Sequence, residues 1–81
     1  MVEIRFAKKF STIFSKLKDD LLKTKIKKQI QKISENPDIG KPMRNIRKGT
    51  RELYIKPFRL SYIKINNDLI YILDLYHKKR Q

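Results

Sequence analysis

RELYIKPFRLSYIKINNDLIYILDLYHKKR, from Arg51 to Arg80, is the stretch whose reading decides the fold. Arg51 to Lys56 alternates as a half-buried strand does, with Leu53 and Ile55 on one side and Glu52, Tyr54 and Lys56 on the other. Pro57 marks a short hairpin connection, and Phe58 to Ile65 reads as the next strand. Asn66-Asn67-Asp68 is a turn of residues that tolerate left-handed backbone. Leu69 to Tyr76 is apolar almost throughout, Asp74 apart, and predicts a buried, central strand. Strands joined this tightly make a sheet, and one face of it must be covered.

The covering comes from upstream. Val2 to Phe6 alternates and predicts a short strand with Val2, Ile4 and Phe6 turned inward. From Ala7 the period changes: Phe6, Phe10, Ile13, Phe14 and Leu17 fall on one helical face, opposite Lys8, Lys9, Ser11, Ser15, Lys16 and Lys18. Asp19 and Asp20 interrupt, and aspartate is a preferred N-cap, so a second helix is expected from Asp20 to Ser34. Its inward stripe is Leu22, Ile26, Ile30 and Ile33. Asn36-Pro37 stops it, because proline cannot continue the ladder and disfavours helix in the residue before it. Asp38 to Thr50 holds both glycines and a proline and reads as a basic loop carrying Lys41, Arg44, Arg47 and Lys48. The order is β-α-α-β-β-β, an α+β chain forming a single domain over residues 1–81.

Charge limits the partners. Twenty-one Lys and Arg against eight Asp and Glu give +13, a self-repelling field that calls for a polyanion. Nucleic acid fits best, an acidic protein next, a membrane surface third. With no cysteine, disulfides and thiolate-ligated zinc are excluded, and a reducing, cytoplasmic setting is expected. No secretion leader is read at Met1 to Arg5, and no apolar run approaches the roughly 20 residues that span a bilayer. With one histidine and scattered acids no metal site is readable. Gly40 and Gly49 are isolated, so no phosphate-cradling glycine loop is present, and no nucleophile–base pair is in view.

What remains is cationic. Arg59 projects from a strand with a rigid fork suited to bidentate phosphate contact; equally, it could be a solvated arginine or one paired with Glu52 or Asp74. His77-Lys78-Lys79-Arg80 leaves the last strand directly. A neutral imidazole there could take a proton from a ribose 2′-hydroxyl while its cationic neighbours hold the phosphate; the plainer reading is a basic tail. Tyr54, Tyr62, Tyr71 and Tyr76 could stack on bases or simply pack the sheet.

Taken together, ENPDIGKPMRNIRKG (Glu35 to Gly49), RELYI (Arg51 to Ile55), FRLSYIKINNDLIYIL (Phe58 to Leu73) and YHKKR (Tyr76 to Arg80) resemble the RelE/ParE superfamily of toxins from type II toxin–antitoxin systems. The resemblance covers most of the chain. It implies a helical hairpin on one face of a twisted, mostly antiparallel four-stranded sheet. In the RelE-like branch it implies a ribosome-dependent messenger-RNA interferase that cleaves by 2′-hydroxyl attack, without metal or other cofactor. Its partners would be messenger RNA, the ribosome and an acidic antitoxin, with no membrane and no small-molecule substrate. Carried over, Arg59, His77 and Lys79 are the catalytic positions, and Arg47, Lys48, Arg51, Lys56, Lys78 and Arg80 bind RNA. Better-studied RelE members carry paired lysines where this chain has Glu52 and Tyr54, which leaves the acid and base open. The ParE-like branch, whose members poison DNA gyrase, and a nucleic-acid-binding relative without activity stay as alternatives.

Overall fold

A computed structural model describes residues 2–43 and 49–77. Along the chain run β1 (Glu3–Phe6), α1 (Lys8–Lys16), α2 (Asp20–Glu35), β2 (Lys41–Pro42), β3 (Thr50–Ile55), β4 (Phe58–Asn66) and β5 (Leu69–His77). Among the described residues the strands form one sheet of order β1-β5-β4-β3-β2, with β1 parallel to β5 and every other pairing antiparallel. The expected α+β architecture, with both helices on one face, is what forms. The sheet, however, has five strands rather than four. The extra one is Lys41–Pro42, inside the expected loop, where Lys41 faces Glu52 and Pro42 faces Arg51. Two residues cannot show a period, and an edge is where a sheet tolerates proline.

The helices form where charge and apolar spacing place them. Asp19 caps α2, its Oδ1 accepting from the amides of Leu21 at 3.0 Å and Leu22 at 3.1 Å. Leu22, Ile26 and Ile33 of α2 are buried with Phe10 of α1 against Ile55, Leu60, Tyr62, Ile70, Ile72 and Leu75 of the sheet. Ile13, Phe14, Leu17 and Ile30 pack at the margin of this core. Phe6 does not turn inward as expected: it stays 46% exposed. It ends β1, and its ring stacks instead on Phe10, 5.5 Å away, at the head of the Phe6-Phe10-Phe14 ladder. β5 is an interior strand between β1 and β4, although the middle place belongs to β4.

Side chains alternate along β3 and β4, so pairing decides which residues share a face. Leu53, Ile55, Leu60 and Tyr62 look toward the helices. Glu52, Tyr54, Arg59 and Ser61 look the other way, with Glu52 opposite Ser61 and Tyr54 opposite Arg59. On β5 the register skips Leu73, because Asp74 faces Ser61 while Ile72 faces Tyr62. This bulge turns Ile70, Ile72 and Leu75 all toward the core and leaves Asp74 and Tyr76 on the Arg59 face.

Candidate active site

β3, β4 and β5 each contribute one residue to a cluster on the sheet face away from the helices. Arg59 of β4 donates from Nη1 to Glu52 Oε1 of β3 at 2.8 Å. Tyr76 of β5 donates its hydroxyl to Glu52 Oε2 at 2.9 Å. Tyr76 is directly opposite Arg59, whereas Glu52 sits two residues along β3 from Arg59's direct partner, Tyr54. That diagonal is about 7–8 Å between backbones, a span two long side chains close easily. Arg59 and Glu52 side chains are 25% and 18% exposed, so the ion pair is partly shielded yet reachable. Arg59 Nε is buried and has no hydrogen-bond partner among the described residues. Of the arrangements open to Arg59 from sequence, the pair with Glu52 forms. Asp74 is engaged elsewhere, its Oδ2 lying 3.1 Å from Lys9 Nζ of α1.

The arrangement is chemically specific. A carboxylate accepting from an arginine and a phenol puts an anionic oxygen pair, a hydroxyl proton and a guanidinium within one hydrogen-bonded set. Among the described residues no group of three or more His, Cys, Asp or Glu is placed to hold a metal ion.

His77 stands apart from this cluster. It pairs with Phe58, one position beyond the Arg59–Tyr76 pair, so alternation sends its ring to the other face. There it meets the Phe58 ring edge-on, at 5.6 Å and 75°. Lys56 is exposed in the β3–β4 turn, at the same end of the sheet as Arg59. Arg51 faces the helix side and is bound by the chain itself. Its Nη1 donates to the carbonyls of Gly40 at 2.7 Å and Asp38 at 3.2 Å, and its Nη2 is 3.6 Å from Asp38 Oδ1. Arg47, Lys48, Lys78, Lys79 and Arg80 lie outside the described residues.

The same segment is gripped from β4. The Tyr62 hydroxyl donates to the Pro37 carbonyl at 2.7 Å and accepts from the Gly40 amide at 3.0 Å. A Cβ on Gly40 would come within 2.7 Å of that hydroxyl and 2.8 Å of the Glu52 carbonyl oxygen, so only glycine fits. Asn36 to Gly40 is therefore a clasp joining the end of α2 to β3 and β4, and it explains much of the NP-x-x-G pattern without chemistry. Sequence reasoning offered Glu52 only as an ion-pair partner for Arg59, and Tyr76 only as a stacking or packing tyrosine, and placed neither among the site residues. Glu52 was within reach of it, because a tight hairpin at Lys56–Pro57 puts Glu52 and Arg59 on one face; Tyr76 was hidden by the bulge at Leu73.

Residues 4–81 match the family model for the ParE toxin of the type II toxin–antitoxin system parDE. The chain belongs to the ParE toxin family. As a member it is a toxin of a type II toxin–antitoxin system. Solved structures agree on the ParE-family fold. A chain of the intact E. coli RelBE toxin–antitoxin complex superposes with a TM-score of 0.82 at 18% identity, covering 99% of this chain and 100% of that one. The YoeB/ParE toxin from Agrobacterium tumefaciens gives 0.82 at 13% identity, covering 94% and 98%. The RelBE2 toxin–antitoxin complex from Mycobacterium tuberculosis gives 0.77 at 24% identity, covering 95% and 98%. No curated protein sequence matches the chain.

Proposed function

We propose that this toxin is a messenger-RNA interferase: an endoribonuclease that cuts at the ribosome by attack of a ribose 2′-hydroxyl on the adjacent phosphate. The observation that carries the reading is Arg59, a guanidinium fixed by Glu52 on the face away from the helices and still a quarter exposed. A pre-aimed, partly exposed fork suits the charge that builds on a phosphorane. The exposed Lys56, and the Lys78-Lys79-Arg80 run that follows β5 in sequence, supply cations for the RNA backbone. The +13 charge supports an acidic antitoxin as the neutralising partner, ordered on binding, as does the likeness to chains from toxin–antitoxin complexes. The setting is the cytoplasm, where ribosomes and message meet.

Arg59→Ala tests the site. Induced alone, the variant is expected to relieve growth arrest and to lower A-site cleavage, read by primer extension on translating ribosomes, about 10²–10³-fold. Its circular dichroism should stay that of the wild type. Undiminished toxicity would place the active site elsewhere.

A second reading, inhibition of DNA gyrase without catalysis, is favoured by the ParE description of the family model. A supercoiling assay with purified gyrase separates the two: inhibition there, with no message cleaved on ribosomes, would overturn the interferase reading.

A further inference from the structure

We infer that Glu52 and Tyr76 are the base and the acid of the cleavage reaction, linked as a relay that resets itself; this rests on the interferase reading. The carboxylate lies beside Arg59 at 2.8 Å and accepts the Tyr76 hydroxyl at 2.9 Å. A phosphodiester held on Arg59 therefore meets one anionic acceptor and one neutral O–H donor. His77 does not supply either, since its ring stands on the opposite face against Phe58.

The chemistry balances without any further reactant. The 2′-hydroxyl gives its proton to Glu52 as the 2′-oxygen forms a bond to phosphorus. The bond from phosphorus to the 5′-oxygen breaks, and Tyr76 gives its phenolic proton to that leaving oxygen. The products are a 2′,3′-cyclic phosphate and a 5′-hydroxyl. Glu52 is then protonated and Tyr76 is a phenolate, hydrogen-bonded partners next to a guanidinium. A carboxylic acid is the stronger acid of the two, so the proton passes from Glu52 to Tyr76 and restores the starting state. A phenol is likewise a stronger acid than the departing alcohol, so its transfer is downhill as the 5′-oxygen leaves.

The experiment replaces the leaving oxygen. Ribosomes are programmed with a message cleaved at a known A-site codon, carrying either the natural linkage or a 5′-bridging sulfur there. Single-turnover cleavage is followed for wild type, E52Q and Y76F. A thiolate leaves without needing a proton, so the sulfur linkage relieves loss of the acid and not loss of the base. On the natural linkage each variant should be slower by about 10²–10⁴-fold. On the sulfur linkage Y76F should recover to within a few-fold of wild type, while E52Q stays slow. Y76F equally impaired on both linkages would reduce Tyr76 to a positioning residue and overturn the relay. So would E52Q cutting the natural linkage within threefold of wild type. Thermal melts and ribosome binding of each variant separate these results from a failure to fold. If the wild type cuts neither message, the interferase reading itself falls, and the relay with it.

Discussion

Tyr62 shows how much a single side chain can organise. Fully buried in β4, it reaches out of the core to hold Pro37 and Gly40 by two hydrogen bonds. Tyr62→Phe keeps the ring but leaves an amide and a carbonyl of the clasp without their partner. It should cost about 1–3 kcal/mol in urea unfolding, with an unchanged denaturant slope. Burial raises the Tyr62 phenol above its ordinary value of 10.0, the Gly40 amide and Arg51 opposing that only in part. The folded state therefore holds this proton longer than the unfolded chain does. That contribution is complete below about pH 10 and is lost as pH rises through the raised value. The stability gap between wild type and Tyr62→Phe should accordingly narrow in alkaline titrations above about pH 10. Arg59 is the contrasting case. Its residue type left it solvated or paired, and only the position of Glu52 two residues from Tyr54 made it paired.

At the level of elements, most boundaries were legible because their causes are local. Asp19 and Asn36 begin and end α2 through a side-chain cap and a residue held before proline, both visible in the chain itself. Asp19→Ala should lower stability by about 1 kcal/mol, seen as a lower midpoint in thermal melts followed by helical ellipticity. The strand surfaces were less legible. Leu69 to Tyr76 reads as unbroken apolar chain, and nothing in it marks Leu73 as the residue the ladder skips. Without that skip, Asp74 and Tyr76 would share the face of Ile70 and Ile72 and turn into the core. A second irregularity, at Ile65 of β4, offsets the first, so the strand ends near Arg59 return to the pairing of an unbulged hairpin. β2 escaped notice for a simpler reason: its two residues pair only because the clasp lays them beside β3.

Across the whole molecule, charge and shape pull in opposite directions. The folded chain is 33 × 29 × 21 Å and carries +13, so its cations lie within a few screening lengths of one another. Raising sodium chloride from about 50 to about 300 mM should raise the melting temperature by relieving this repulsion. A flat or falling midpoint would mean that repulsion among the basic residues costs the fold less than its screened ion pairs contribute. The two layers also divide labour. Most lysines of α1 and α2 stay on the exposed side of the helices, Lys9 reaching Asp74 of β5 instead, while Arg59, Glu52 and Tyr76 occupy the far face of the sheet.

By itself the sequence determined the helices, the hairpins, the core stripe and the demand for a polyanion, because periodicity, capping and composition act over a few residues. Tertiary structure alone decided that the sheet takes a fifth strand and that Arg51 and Tyr62 serve the clasp. It also set Arg59 beside Glu52 and Tyr76 and sent His77 to the other face. Each of those depends on strand register, and a shift of one residue in register exchanges the two faces of a sheet.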